Sequence, residues 1–425
     1  MNRRSLLSAA AALASFSPLL FGYSMVDKKN IRSFGKTYDY LRDPALRQKE
    51  TGNSQLLVDG AEVSGANFHD VAWHNIKFVK CDFVGGYEIK LSELRNCIFE
   101  NCRFAGIINW GIATSIRFVR CQAGGQSNVI DFSGSSDIRF ETCVFVGTDP
   151  NPNNWGGIGS RGDATFVDCK AKWFDLAGYK QIVMDRCETQ DVGIWTDSAA
   201  NSGTSHESAV VVIKHSKLRG SFGMVASDLQ SLTLHDTVLE NLDLRDATVK
   251  GNVVMERIKG GYINAYVKQA GGLRIRNSQI LGNGRKIFEA YAGGIQSIEI
   301  DTVVFGGDLS SEPVTIAGGF SLKSFDRISN ISQSIDIRNS TIPTLDASYL
   351  HTQRLVLKDN QIMRANMSNS RVADLEISGT RITGKLDFHG TQAAQQKVDL
   401  SAGSTFGRVD QMDGSNIRLQ PRSAR

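Results

Sequence analysis

The chain has 425 residues, with 41 glycines, 7 prolines and an aromatic content of 8%, a balance that favours many tight corners between short strands in one elongated domain. Its formal net charge is +4, and this falls to 4 − 2 = +2 if Arg3 and Arg4 leave with a processed leader. Strong nucleic-acid binding needs a concentrated basic face, which a nearly neutral chain does not supply. A nucleic-acid partner is therefore not expected.

Residues 1–24 have a short basic start and an apolar stretch from Leu6 to Phe21, which is typical of an export signal. The run RRSLL (3–7) resembles the twin-arginine export motif, although Leu6 stands where that motif usually has Phe. The ordinary secretory route and an uncleaved anchor stay open as alternatives, because no Ala-x-Ala cleavage site follows. Each route predicts a periplasmic or cell-surface protein.

Residues 25–54 are charged and precede the repeats of the chain. The run YDYLRDPALRQKE (38–50) predicts a short helix interrupted by Pro44. An open solenoid end exposes a row of unpaired strand groups that invites aggregation, so a covering segment is expected there. We interpret 25–54 as an N-terminal cap, and 411–425, which lacks the repeat, as a frayed C-terminal tail.

One eight-residue phrase, apolar-x-apolar-x-x-small-x-apolar, recurs sixteen times between residues 56 and 405. Clear copies are LRIRNSQI (273–280), LVLKDNQI (355–362) and LEISGTRI (375–382), and most copies begin 18–26 residues apart. A unit this short buries its apolar side only against neighbouring units, so the chain must stack rather than fold around one central core. Residues 55–410 are therefore predicted to form a single all-β solenoid domain of about sixteen turns, on the order of 75 Å long.

Residues 335–384 divide into ten consecutive five-residue words without insertion, beginning IDIRN, STIPT, LDASY and LHTQR. The third residue of each word is usually apolar and the first is small or aliphatic, so the strand period of two sends both inward. This stretch resembles the pentapeptide-repeat family. The resemblance implies a right-handed parallel β-helix in which four words make one square turn.

Seven cysteines occur in the first half of the repeats, and a single column of small inward positions accounts for all of them. We therefore predict buried free thiols, with one or two disulfides as the alternative for an exported protein. No Cys-x-x-Cys pair or clustered histidine accompanies them, so no metal site is predicted, and no cofactor is expected. The cysteines are Cys81, Cys97, Cys102, Cys121, Cys143, Cys169 and Cys187.

The repeat period breaks at residues 148–163, 193–208 and 306–333, and a functional site is expected where a solenoid departs from its repeat. The third break is poor in aromatic residues and histidine, so the candidate segments are 148–163, 193–208 and the intervening 172–180. Loops from neighbouring turns meet at one corner, so these segments predict a groove in which aromatic rings stack on sugar faces beside charged side chains. The alternative role for each tryptophan is to fill an irregular corner. The predicted carbohydrate-binding residues are Trp110, Trp155, Trp173, Trp195, Tyr179, Arg161 and Lys172.

Acidic residues lead to two further hypotheses. Asp175 and Asp197 lie in these segments and are the candidate acid and base of a polysaccharide lyase or glycoside hydrolase. A column of outward residues is also expected where corresponding strands of successive turns align. It is either a hydrogen-bonded ladder or a binding strip, and its members are Asp175, Asp243, Asn264, Asp346 and Asn366.

Export combined with a long β-helix resembles the β-helix proteins encoded with exopolysaccharide clusters, such as that of colanic acid, and the polysaccharide lyases of the same fold. INWGI (108–112) and NNWGGIG (153–159) are the short local features of this resemblance. It implies that the protein binds or handles a bacterial polysaccharide, with a cell-envelope protein as a further candidate partner. The alternatives are a lyase or depolymerase acting in the 148–208 groove, and a structural or protein-binding scaffold.

Overall fold

All strands that the structure describes belong to one parallel sheet, which winds round repeatedly as a β-solenoid. The structure is a computed structural model that describes residues 29–30, 36–52, 54–63, 68–84, 89–105, 108–125, 130–131, 134–147, 158–195, 209–225, 227–283, 286–306, 314–317, 332–400, 404, 409–410 and 414–418. Two α-helices lie in these ranges, and neither is long and apolar enough to cross a membrane. The predicted fold class, an all-β parallel β-helix, is confirmed.

The described residues of the coil form 35 strands. The first group is β1 (Lys29–Asn30), β2 (Leu56–Asp59), β3 (Ala61–Val63), β4 (Phe68–His74), β5 (Ile76–Val79), β6 (Asp82–Phe83), β7 (Ile89–Glu100), β8 (Arg103–Phe104), β9 (Ile108–Asn109), β10 (Ile112–Val119), β11 (Gln122–Gly125) and β12 (Ile130–Asp131). The second group is β13 (Gly134–Glu141), β14 (Val144–Gly147), β15 (Ile158–Val167), β16 (Lys170–Asp185), β17 (Glu188–Trp195), β18 (Ala209–Lys214), β19 (Lys217–Gly223), β20 (Asp228–His235), β21 (Val238–Asp243), β22 (Thr248–Glu256), β23 (Lys259–Ala265) and β24 (Gln269–Ile280). The third group is β25 (Phe288–Tyr291), β26 (Ser297–Phe305), β27 (Val314–Ala317), β28 (Ser332–Arg338), β29 (Thr341–Asp346), β30 (His351–Lys358), β31 (Gln361–Asn366), β32 (Arg371–Ile382), β33 (Leu386–Asp387), β34 (Gln392–Leu400) and β35 (Val409–Asp410).

The recurring phrase forms the main ladder of the coil. The sixteen copies form fifteen neighbouring pairs, which gives the ladder sixteen rungs. In the first fourteen pairs the apolar-x-apolar segments lie side by side, whereas the last copy is shifted by two residues, so that Val398 pairs with Ile377. The coil has about 12 turns, however, and the prediction of about sixteen was too high. A rung belongs to a complete turn only where strands of the other walls accompany it. Three segments that each follow a rung lie outside the described residues, namely 148–157, 196–208 and 318–331.

The five-residue words set the period of the C-terminal turns. Within 335–384 the first and third residues of every word are buried. Equivalent residues of successive turns, such as Ile335 and Leu355, lie 20 residues apart, which is the length of four words. Leu357 and Ile377 pair directly, and both are 0% exposed. The prediction that equivalent apolar side chains stack one turn apart on the inner wall is therefore confirmed for this pair.

The corner after each main-ladder strand uses a left-handed backbone. The residue before the small position of the phrase has φ between 48° and 62° on fifteen rungs. An L-residue adopts this conformation at a cost of about 1–2 kcal/mol, which the packing of the two flanking strands must offset. Because the same corner recurs on every rung, its charged side chains lie one above another, as His215, Asp236 and Arg257 do.

Phenylalanine rings stack through the N-terminal half of the core. The rings on five successive rungs lie 4.7–4.9 Å apart between centroids, with planes within 10° of parallel. This spacing is that of neighbouring strands, so the third position of the phrase puts the same ring in the same place on each rung. The five rings are those of Phe78, Phe99, Phe118, Phe140 and Phe166.

The seven cysteines are buried and free, as predicted. Six form one column, and each of their Sγ atoms donates a hydrogen bond to a carbonyl of the preceding rung at 3.2–3.5 Å. Cys97 instead occupies the first position of its copy of the phrase, within β7, and pairs with Ile116, so the prediction of a single column was wrong for this residue. The column continues toward the C-terminus with Ser216, Thr237 and Ser278, which are also buried.

Two helices cover the first turn of the coil. They are α1 (Lys36–Arg42) and α2 (Pro44–Thr51). The indole Nε1 of Trp73 donates to the carbonyl of Leu41 at 3.1 Å, and both side chains are 0% exposed. Arg47, which is 4% exposed, donates to the carbonyl of Ala72 at 2.9 Å. Hydrogen bonds and apolar packing therefore both attach the helices to β4.

The last turn is covered by a short segment of the C-terminal tail. The side-chain amide of Asn416 donates to the carbonyl of Ala393 at 2.7 Å and accepts from its N–H at 2.8 Å, as a neighbouring strand would. Ile417 is 3% exposed. Residues 414–418 therefore pack on the coil, in contrast to the frayed tail expected from the sequence, because a side-chain amide reproduces the missing backbone partner.

Candidate functional site

The predicted tryptophan groove is described only in part, because Trp155 and Asp197 lie outside the described residues. Trp173 and Trp195 belong to the neighbouring strands β16 and β17, but the register sets Ala177 beside Trp195. The two tryptophan positions are therefore four residues out of line, or roughly 13 Å along the strand direction. The two positions lie on adjacent turns, as expected, but not one above the other.

Trp110 belongs to the core. It is 0% exposed, and its ring lies edge-on to those of Phe99, Phe104 and Phe118 at centroid distances of 5.0–5.8 Å. A ring without exposed surface cannot stack on a sugar, so the predicted carbohydrate contact is wrong for Trp110. This residue has the alternative role of filling an irregular corner, next to Gly111.

The remaining predicted residues of this region lie on β15 and β16. Lys172 is exposed. The register sets Tyr179 beside Gly162, the chain neighbour of Arg161, so these two predicted residues come to adjacent rungs. Asp175 lies beside Gly193 in the same way, at the start of a longer line of aligned positions.

The predicted column of acids and amides is a continuous line in the register. From Asp175 it passes through two glycines and then through seven polar residues on consecutive turns, and the position of Asp410 continues it beyond them. The predicted alignment is confirmed, and the structure adds Glu289, Thr315 and Asp387 to it. The seven residues, which we call the polar column, are Asp243, Asn264, Glu289, Thr315, Asp346, Asn366 and Asp387.

Most of the polar column supports the corner that follows it. Oδ1 of Asp243 accepts a hydrogen bond from the backbone N–H two residues later at 3.1 Å, which is an Asx turn. The same turn recurs at Asn264, Asp346, Asn366 and Asp387. Between turns, Nδ2 of Asn366 donates to Oδ1 of Asp346 at 3.2 Å. Asx turns therefore account for these five side chains, and the predicted hydrogen-bonded ladder is present between Asp346 and Asn366.

Glu289 departs from that pattern. Its side chain is 17% exposed, and its carboxylate accepts hydrogen bonds from the Tyr262 hydroxyl and, at 3.0 Å, from Nζ of Lys286. Burial and the negative charge of Glu289 raise the pKa of Tyr262 above its ordinary value. The phenol therefore remains protonated and acts as the donor to the carboxylate.

Tyr266 and Tyr291 form a stacked pair beside this carboxylate. Their ring centroids are 6.0 Å apart, and the planes are within 9° of parallel. Tyr266 is 37% exposed, and Tyr291 is half-buried. Gly293 lies against the Tyr291 ring, since a Cβ at this position would be 2.8 Å from Cζ. The Tyr291 ring thus packs against the backbone at Gly293 and beside the ring of Tyr266.

These five residues, Tyr262, Tyr266, Lys286, Glu289 and Tyr291, form what we call the tyrosine platform. Aromatic rings can pack on the C–H face of a sugar, and phenol, ammonium and carboxylate groups can exchange hydrogen bonds with sugar hydroxyls. The adjacent turn of the polar column adds an acid and a cation, Asp243 and Arg245, whose charged groups are 2.7 Å apart.

The tyrosine platform was missed by sequence reasoning because its members are far apart in the chain. Tyr266 and Tyr291 are separated by 25 residues, whereas the regular turns of the C-terminal half have 20. The available signal was the column itself, because Asn264 was a predicted member and Tyr266 follows it by two positions.

Neither a family model, nor a curated protein, nor a solved structure matches this chain.

Proposed function

We propose that this protein is an exported β-helix that binds a bacterial polysaccharide at the tyrosine platform. The observation that carries the proposal is the parallel, partly exposed pair Tyr266 and Tyr291 beside a carboxylate and an ammonium group. Export to the periplasm or the cell surface is proposed from the signal-like residues 1–24. Pentapeptide-type winding is proposed for 335–384 from its 20-residue turns.

The stacking of turns sets the direction of the proposed ligand. Turns follow one another at roughly 4.8 Å, which is close to the length of one sugar unit. A glycan lying along the coil therefore meets a polar group at each turn on both sides of the platform. Asp243 lies on the preceding side, and Thr315 and Asp346 lie on the following side, whereas Asn264, on the turn of Tyr266, is 7% exposed and supports the corner. This repetition favours an extended ligand over a compact one.

The proposal is tested by replacing both stacked rings. An array of bacterial exopolysaccharides identifies the tightest ligand of the full chain, and titration with that glycan then gives the Kd of each variant. Two rings that each contribute about 0.5–1.5 kcal/mol beyond area burial should make Tyr266→Ala/Tyr291→Ala bind about 5–150-fold more weakly. Its circular dichroism spectrum and melting temperature should stay close to those of the wild type, because neither ring belongs to the core.

Val304→Ala is the matched control, since it shortens an apolar side chain that is 43% exposed on β26. It should bind the glycan as the wild type does. Unchanged binding by the folded Tyr266→Ala/Tyr291→Ala variant would show that the glycan does not bind at the platform. Alanine substitution of Trp155, Trp173 and Trp195 would then test the predicted tryptophan groove. A chain that binds none of the polysaccharides would instead favour a scaffold.

A further inference from the structure

Three side chains with metal-ligating atoms meet at one corner of the main ladder. His215, His235 and Asp236 each offer one such atom, and the three atoms lie within 4.8 Å of one another. Oδ2 of Asp236 is 3.7 Å from Nε2 of His215 and 2.7 Å from Nδ1 of His235. His215 and Asp236 hold the left-handed corner position of neighbouring rungs, with φ of 51° and 48°. The winding of the coil thus brings together groups that are distant in the sequence.

Each histidine also has a carboxylate near its second ring nitrogen. Nδ1 of His215 is 2.9 Å from Oδ1 of Asp185, whose side chain is 14% exposed. This hydrogen bond places the imidazole proton on Nδ1 and leaves the lone pair of Nε2 directed to the cluster. Nε2 of His235 faces Oε2 of Glu256 at 3.8 Å. Histidines that ligate metals commonly have carboxylate partners of this kind.

We propose that His215, His235 and Asp236 bind a divalent transition-metal ion, for which Zn²⁺ is the probe. Two imidazole nitrogens and one carboxylate oxygen are the protein ligands of open zinc sites, which keep a fourth position for water or an external group. Two ligands of a tetrahedral zinc ion lie about 3.3 Å apart at ordinary bond lengths. The observed 3.7 and 2.7 Å lie on either side of that value, so a rotation of the Asp236 carboxylate admits the ion.

Arg257 competes with a metal ion for the same groups. Its Nε donates to Oδ1 of Asp236 at 2.7 Å, and its Nη2 contacts Asp236 at 3.1 Å and the ring of His235. The Arg257 side chain is 44% exposed, and its Nη1 also donates to Glu256 at 2.6 Å. It can therefore turn outward and keep a carboxylate partner. Because the guanidinium and the metal exclude each other, removal of Arg257 should tighten metal binding, whereas removal of a ligand should weaken it.

The first test is zinc titration of the full chain by calorimetry after treatment with a chelator. The wild type should bind one equivalent of Zn²⁺, and His215→Ala and His235→Ala should each weaken binding about tenfold or more. His69→Ala, which removes an exposed histidine on β4, is the matched control and should bind as the wild type does. The visible spectrum of Co²⁺ should show the same ranking of the variants.

The second test uses substitutions that keep the three ligands. Arg257→Ala should tighten zinc binding about tenfold, because it removes a positive charge from the site. Asp185→Asn should weaken binding about 10–100-fold, because the His215 ring loses its orienting carboxylate. Equal zinc affinity of the wild type, His215→Ala and His235→Ala would overturn the proposal. The proposal would also be overturned if the Arg257→Ala variant, in which all three ligands are intact, bound zinc no more tightly than the wild type.

Discussion

Individual corners of the coil place the strictest steric demands on single residues. Gly60 and Gly111 both have φ near +60°, so a side chain at either position has to adopt the left-handed conformation. A Cβ at Gly111 would lie 2.3 Å from the carbonyl oxygen of Leu91 and 2.6 Å from that of Ser92. A Cβ at Gly60 would have nothing within 4 Å. The two positions share the conformational cost, and only Gly111 adds a clash with backbone.

Gly111→Ala should therefore destabilise the protein more than Gly60→Ala. The left-handed conformation costs each variant about 1–2 kcal/mol, and displacement of β7 should add about 1–3 kcal/mol for Gly111→Ala. Urea denaturation followed by circular dichroism measures both losses of unfolding free energy. Equal losses of unfolding free energy in the two variants would show that β7 moves away from residue 111 at little cost. That result would contradict a tightly packed corner next to the buried Trp110.

Burial of single residues was predictable wherever it followed from the strand period alone. Alternation placed Leu357 and Ile377 on the inner wall without knowledge of the rest of the chain. The positions of Trp110 and Cys97 depend on how the chain turns and aligns beyond a single strand. Trp110 is buried because the chain turns inward at an irregular corner, and Cys97 lies outside the cysteine column because it opens its copy of the phrase.

Within the main-ladder element, the cysteine column acts as a row of internal hydrogen-bond donors. Thr237 and Thr380 donate to carbonyls of the preceding rung in the same way, at 3.4 and 2.9 Å. Burial also raises the pKa of the Cys97 thiol to about 12, so that it stays protonated at neutral pH. All seven thiols are buried, so the folded element should protect them from reagents.

Thiol counting tests this protection. Without reductant, the native protein should react with less than one equivalent of DTNB per chain, and the protein in guanidinium chloride should react with all seven cysteines. Reduction of the denatured protein before counting provides the control, because it fixes the total. Five or fewer reactive thiols in the denatured, unreduced protein would reveal at least one disulfide and contradict the prediction of seven free thiols.

The candidate sites depend on how elements align, and this limited their prediction. The polar column was predictable because it recurs at one position of a regular repeat. The tyrosine platform was not, because an irregular interval separates Tyr266 from Tyr291. His215 and His235 are 20 residues apart, so the sequence contained no local histidine cluster and gave no indication of metal ligation. Both sites arise only when the register is known.

For the whole molecule, the two ends of the coil determine whether one chain associates with another. A parallel coil ends in unpaired strand groups and an open core, and such edges promote association between chains. At the N-terminal end, α1 and α2 cover Phe68 and Trp73, which are both 0% exposed. At the C-terminal end, Asn416 supplies side-chain hydrogen bonds in place of a further strand. Each end thus has its own cover.

Leu41→Asp should open the N-terminal end. Leu41 is 0% exposed, and a carboxylate buried there without a partner costs several kcal/mol, which is enough to detach a helix of seven residues from β4. The exposed first turn should then join other chains end to end, so light scattering after size-exclusion chromatography should detect dimers and longer species. Gln48→Asp adds the same charge at an exposed position of α2 and should leave the mass unchanged. If Leu41→Asp keeps the mass and melting temperature of this control, the helices do not protect the end of the coil.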